Sequence, residues 1–391
     1  MPGPPLAHRL EGLGTTIFAE MSALAVRTGA VNLGQGFPDT DGPIEVADAA
    51  VAALRAGINQ YPPGPGQPDL RLAVSEHQQR FYGITLDPDT EIVITTGATE
   101  AIAASLLGLV DPGDEVIALE PFYDSYAAGI QLAGGVRVPV TLRAPDFRLD
   151  LERLRAAVTP RTRMILLNSP HNPTGAVLTR DELTAIAAVA VEHDLIVVSD
   201  EVYEHMTYGV AHVPVSTLPG MAERTLTIGS AGKTFSFTGW KIGWATGPAA
   251  LVRAVLTAKQ FLTYVSGAPF QPAVAVGLRL PDSYFTGLAS SLSAKRDRLC
   301  AGLTEVGFEV FRPDGTYFAT ADVRPMGWDD GMAFCRELPH LAGVVAIPTQ
   351  VFYDRPDAPD CPGRPLVRFA FCKRDEVLDD ALTRLEALRR R

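Results

Sequence analysis

The chain has 391 residues, of which 47% are hydrophobic and 20% charged, a globular balance with enough length for two domains or one large α/β body. Its formal net charge is −11 and it carries no basic stripe or block of like charge, which argues against nucleic acid as a partner. The best membrane candidate, "AIAASLLGLV" at 101–110, is too short to span a bilayer.

The opening "MPGPPLAHRLEG" lacks the apolar centre of a signal peptide, so the cytoplasm is the expected compartment and no membrane partner is expected. Cys300, Cys335, Cys361 and Cys372 are far apart and form no CxxC pair. They suggest neither a zinc knuckle nor a disulfide framework, and no metal site is read from the sequence.

From about residue 43 periodic helical stretches alternate with short β-branched apolar runs. The runs are "EIVITT" (91–96), "EVIALE" (115–120), "VRVPVTL" (136–142), "RMILLN" (163–168), "LIVVSD" (195–200), "RTLTIGS" (224–230) and "KIGWATG" (241–247). Amphipathic segments at 98–110, 123–133 and 179–193 fall between them. This alternation predicts an α/β fold with a mainly parallel sheet covered by helices. The Pro/Gly-rich "YPPGPGQPDL" (61–70) reads as a rigid loop. From about 283 a long helical stretch is followed by strand-like 315–323, 343–348 and 365–371 and a last helix, a smaller α+β layer.

Two nucleotide readings fail on spacing. "GKT" (232–234) lacks the P-loop glycine five residues before Gly232, and "GPGQPD" (64–69) is not GxGxxG and follows no strand. Ligands of open parallel sheets bind beyond the carboxyl ends of the strands, so those ends are where chemistry is expected.

Gly97, Ala98 and Thr99 open a helix after the first run, and free N–H groups there suit a phosphate; a plain helix cap explains them equally well. "NSPHNPTG" (168–175) ends another run, and its Asn172 reads on its own as a turn residue. Asp200 ends "LIVVSD", where a carboxylate is costly without a cationic partner; a capping role stays open. "SAGKTFSFTGWKIGW" (230–244) then places Lys233 and Lys241 in an apolar setting with no acid nearby. Burial lowers a lysine's pKa, and the neutral amine is the nucleophile that forms a Schiff base. The second lysine, with Ser230, would face an anion. Phosphate, carbonyl and a cation for Asp200 occur together in pyridoxal 5′-phosphate.

The chain resembles the class I aminotransferases of pyridoxal-phosphate fold type I over nearly its whole length. The resemblance is carried by "NLGQGFPD" (32–39), "NQYPPG" (59–64), "TTGATEA" (95–101), "EPFYDSY" (120–126), "NSPHNPTG", "DEVY" (200–203), "SAGKTFSFTGWKIGW" and "VRFAF" (367–371). It is similar to the kynurenine, glutamine and methionine aminotransferase group. It is closer still to actinobacterial N-succinyl-LL-diaminopimelate aminotransferases, through "FAEMSALA", "NQYPPGPG" and "GATEAIAA".

The resemblance implies a large cofactor-binding domain at 46–282 and a small domain of 1–45 and 283–391 with an N-terminal arm. It implies that Lys233 bonds the cofactor's aldehyde and moves the substrate proton. Lys241, Ser230 and the amides of Ala98 and Thr99 would hold the phosphate. Asp200 would keep the ring nitrogen protonated, Asn172 and Tyr203 would bond the ring's phenolic oxygen, and Tyr123 would stack on the ring. Tyr61 would reach the phosphate of a neighbouring subunit, which implies a homodimer. Arg368 sits within a buried run, and its planar fork suits the substrate α-carboxylate. Asn168 and the backbone of Gly36 are secondary contacts, while Phe18, Tyr61 and Tyr123 are candidates for the side-chain pocket.

The expected activity is ping-pong transfer of an amino group between an amino acid and a 2-oxo acid. N-Succinyl-LL-2,6-diaminopimelate and 2-oxoglutarate are the pair that the resemblance favours. A broad kynurenine/glutamine/methionine transaminase and a cysteine-conjugate β-lyase are the alternatives. A regulatory protein with a degenerate domain is disfavoured, because Lys233, Asp200 and Arg368 are all present and the resemblance begins almost at the first residue.

Overall fold

The computed structural model describes residues 7–390 apart from residue 15. Among the described residues thirteen strands follow one another as β1 (Val31–Asn32), β2 (Ile92–Thr96), β3 (Glu115–Glu120), β4 (Val136–Thr141), β5 (Thr162–Asn168), β6 (Ile196–Asp200), β7 (Thr225–Ser230), β8 (Ile242–Thr246), β9 (Glu309–Phe311), β10 (Phe318–Asp322), β11 (Val344–Val345), β12 (Ile347–Pro348) and β13 (Leu366–Ala370).

The seven apolar runs of the first part form one sheet in the order β2-β8-β7-β6-β5-β3-β4. Pairing is parallel from β7 to β4, whereas β8 runs antiparallel between β2 and β7. The inner strands are buried along their length because helices cover both faces, as a parallel sheet requires. Helices Gly97–Leu109, Asp124–Leu132 and Arg180–Glu192 match the three amphipathic segments to within two residues. The expected loop at 61–70 is shorter than read, since Pro68 opens the helix Pro68–Tyr82. Proline is favoured at a first helical position, where its missing N–H costs nothing.

Register aligns the chemistry. Asn168 pairs with Asp200, Asp200 with Ile228, and Ser230 with Gly243. The ends of β5, β6 and β7 therefore lie side by side. Because β8 is reversed, its start at Ile242 pairs with the end of β2 at Thr96, bringing Lys241 and Gly97 to the same edge.

A second sheet, β12-β13-β10-β9, is antiparallel throughout and packs with the 25-residue helix Asp282–Val306, helix Gly331–Ala342 and helix Asp375–Leu385. Arg368 lies on its inner strand β13, paired with Thr320 on one side and Ile347 on the other. Near the start of the chain, β1 pairs with β11, and helix Ile17–Thr28 is capped by Thr16, whose hydroxyl accepts from the Ala19 N–H at 3.3 Å. No helix among the described residues is long and apolar enough to cross a membrane.

Candidate active site

A cavity of about 240 Å³ opens where the strand ends of the large sheet meet β13 and the N-terminal helix. Its lining includes Phe18, Gly36, Ala98, Thr99, Tyr123, Asn168, Asn172, Asp200, Tyr203, Ser230, Lys233, Lys241 and Arg368. All but one of the residues picked out from the sequence therefore meet in one place. The exception is Tyr61, which is 81% exposed and packs edge-on against Tyr264 on the outer surface.

The two lysines occupy different environments. Lys233 sits on the short helix Ala231–Thr234, capped by Ser230, whose hydroxyl accepts the Gly232 N–H at 3.2 Å. The rings of Tyr203 and Tyr317 flank its amine at 5.7 and 5.8 Å. Burial holds its pKa below the ordinary lysine value, with Asp200 pulling the other way. Lys241 is exposed, sits at φ 55°, and donates to the Thr99 hydroxyl at 3.4 Å. It stands over the N-terminus of helix Gly97–Leu109, where the first amides have no partner within the helix. A Cβ on Gly243 would fall 2.6 Å from the Gly97 carbonyl carbon, so only glycine lets β8 approach that helix start.

Asp200 is 5% exposed at the end of β6. Burial pushes its carboxyl up to about 6, against hydrogen bonds from the Tyr126 hydroxyl and the Val202 amide and the charge of Lys233. The Tyr126 hydroxyl donates to Oδ2 at 2.6 Å and the Val202 N–H to Oδ1 at 3.3 Å. Asn168 donates to the Asp200 carbonyl at 2.7 Å and accepts the Asn172 amide at 2.7 Å, tying two strand ends together. Tyr123 stands perpendicular to Tyr126, and burial pushes its hydroxyl up to about 12. Burial likewise raises Tyr203.

Arg368 is 1% exposed. Its Nη1 donates to Asn172 Oδ1 and its Nη2 to the Gly34 carbonyl, both at 2.9 Å, while Nε has no partner. The Phe318 ring lies 3.9 Å from the guanidinium carbon, with Phe352 and Phe18 at 5.2 and 5.3 Å. None of the described residues forms an ion pair with it, and burial pulls its pKa down to about 10. A buried, unpaired guanidinium is costly unless an anion joins it. Gly36 passes so close that a Cβ there would lie 2.4 Å from Phe318 Cζ, and its carbonyl accepts the Tyr317 hydroxyl at 2.7 Å.

Sequence reasoning missed Tyr126, Gln35, Thr238 and Phe318. For Tyr126 a signal existed: it lies three residues after Tyr123 on one helical turn, so the two rings can share a face. Gln35 donates to the Phe18 carbonyl at 3.0 Å and so holds the N-terminal helix at the cavity mouth. Only the fold shows that contact.

Residues 28–385 match the family model for aminotransferase class I and II. The chain is 56% identical over 392 residues to a probable N-succinyldiaminopimelate aminotransferase DapC of Mycobacterium tuberculosis, covering 98% of each. The structure of N-succinyldiaminopimelate aminotransferase from that organism superposes with a TM-score of 0.95, at 55% identity over 98% of this chain and 100% of that one. A methionine aminotransferase of Escherichia coli is 39% identical over 381 residues, 97% of each. The chain belongs to the class I and II aminotransferases, enzymes whose cofactor is pyridoxal 5′-phosphate.

Proposed function

We propose that the chain moves an amino group between N-succinyl-LL-2,6-diaminopimelate and 2-oxoglutarate, a step of diaminopimelate and lysine synthesis. The observation that carries this reading is the 56% identity, over 98% of both chains, to the mycobacterial N-succinyldiaminopimelate aminotransferase. The geometry supports the reaction class through the unpaired Arg368 beside Lys233 and Asp200.

The residues fit the cofactor. Lys241, the Ser230 hydroxyl and the amides of Ala98 and Thr99 form a phosphate cradle, helped by the positive end of a 13-residue helix. The buried Asp200 carboxylate feels the charge of Lys233 but forms no ion pair among the described residues, and a protonated ring nitrogen would supply one. Tyr123, Asn172 and Tyr203 line the same space, where Tyr123 would cover one face of the ring and Asn172 and Tyr203 would meet its phenolic edge. When bound, the cofactor supplies an aldehyde for the amino group and a ring that accepts electrons. Lys233, its pKa held down by burial, takes the proton from the substrate Cα and later returns one. Arg368 receives the α-carboxylate at its open Nε edge, with Asn172 and Gly34 fixing the plane of the fork. That grip sets which Cα bond faces Lys233, selecting proton loss over decarboxylation.

The large part, 46–282, carries the cofactor side of this site, and 1–45 with 283–391 carries the carboxylate side. Tyr61 is placed to serve a neighbouring copy: it is exposed together with Phe261, Leu262 and Tyr264, an apolar patch suited to a homodimer contact. The enzyme works in the cytoplasm, consistent with the lack of a membrane-crossing helix among the described residues.

Single-turnover mixing of the holoenzyme with separate amino donors tests the substrate. Loss of the cofactor's visible absorbance should be fast with N-succinyl-LL-diaminopimelate and glutamate and slow with glutamine, methionine and kynurenine. Preference for the last three would make it a broad amino-acid transaminase. Pyruvate release from a cysteine conjugate at a rate matching those of the donors would make it a β-lyase.

A further inference from the structure

Outside the cavity, three metal-ligating side chains converge from distant parts of the chain. His77 lies on helix Pro68–Tyr82, and Glu204 and His205 lie in the turn after β6, directly following Tyr203. The Nε2 atoms of His77 and His205 are 2.8 Å apart, and the ligand atoms of all three residues lie within 4.8 Å of one another. His77 and Glu204 are buried, and half-buried His205 gives access from solvent.

We propose that His77, Glu204 and His205 bind one divalent transition ion of the Zn²⁺ or Co²⁺ class, which clamps the turn carrying Tyr203 to helix Pro68–Tyr82. Two imidazole nitrogens and one carboxylate oxygen form a donor set that suits these ions, with water in the fourth position. The surrounding shell is already built. The rings of Phe81 and Phe285 pack on His205 at 4.7 and 4.5 Å, and Phe81 also packs on His77 at 4.7 Å. Tyr82 and Gln78 hydrogen-bond the Glu204 carboxylate, as outer partners do for metal ligands. Other charged or titratable groups facing the cluster are Arg80, Glu201 and His212. Arg80 opposes a cation, but its guanidinium bonds Asp282 and the Leu280 carbonyl at the protein surface.

Without metal the two imidazoles share one proton along the 2.8 Å contact. Binding replaces that hydrogen bond: the donor ring moves its proton from Nε2 to Nδ1, so the imidazoles release none, and any proton on Glu204 leaves to water as its carboxylate takes the ion. The nitrogens then part by about half an ångström to take a tetrahedral ion at about 2.0–2.1 Å.

The test uses chelator-treated holoenzyme titrated with Zn²⁺ by calorimetry and with Co²⁺ by its visible d–d bands. One equivalent should bind per chain, the melting temperature should rise with added Zn²⁺, and Glu204→Gln and His205→Asn should each weaken binding at least tenfold. No saturable binding at one equivalent to the unsubstituted protein overturns the proposal. Binding that is unchanged in both variants does so too, since it would place the ion elsewhere, on the cofactor for example.

Discussion

The Tyr126 hydroxyl donates a 2.6 Å hydrogen bond to Oδ2 of Asp200, and burial seals the pair at the end of β6. On the role proposed for Asp200, Tyr126 is a positioning residue that steadies the ionised carboxylate meeting the cofactor's ring nitrogen. Tyr126→Phe removes one hydrogen bond to a charged acceptor, a loss of about 1.5–3 kcal/mol. Because the bond is made before any cofactor binds, its loss should appear as about that much lower stability of the cofactor-free protein at pH 8, where Asp200 is ionised, read by urea unfolding. Unchanged stability would show that the contact contributes nothing to holding the carboxylate.

The raised Asp200 carboxyl has a signed consequence for the cofactor-free protein. Its folded pKa of about 6 exceeds the ordinary value of 3.8, so the folded state holds this proton more tightly. Its stabilising contribution is complete below the ordinary value and is lost as pH rises through about 6, a swing of about 3 kcal/mol. In urea unfolding from pH 4 to 8, the cofactor-free wild type should weaken relative to Asp200→Asn as pH rises. A constant difference would contradict this.

Arg368→Ala should lower kcat/KM for amino acids by about two to four orders of magnitude, the worth of two charged hydrogen bonds, while amines without a carboxylate are spared. Arg368→Lys should recover little, since an ammonium cannot reproduce the fork held by Asn172 and Gly34. Equal losses for both substrate classes would make Arg368 structural.

Gly36→Ala drives a methyl to 2.4 Å from Phe318 Cζ, and Phe318 carries the Arg368 guanidinium on its face. Overpacking of this kind costs about 1–3 kcal/mol. KM for amino acids should rise several-fold while cofactor absorbance stays normal. An unaltered KM with intact stability would show that the loop yields freely.

Much of this site was legible because the sheet writes its chemistry at strand ends. Asn168, Asp200 and Ser230 each close a β-branched run, and register brings them into line. Arg368 stood out as a charge inside "LVRFAF". The reversal of β8 was hidden, since its pattern is that of any buried strand, yet it is what carries Lys241 to the Gly97 helix. Local pattern could not show the Tyr126 bond to Asp200 either, 74 residues apart, or the contact of His77 with His205, 128 apart. Such contacts are set by packing.

Which lysine reacts is the question on which the site turns. Borohydride reduction of the holoenzyme fixes the covalent link between cofactor and protein, and peptide mass mapping then locates it. The adduct should sit on Lys233, the amine ringed by Tyr203 and Tyr317, with none on Lys241. An adduct on Lys241 or on any other lysine would contradict the division of roles proposed for the two.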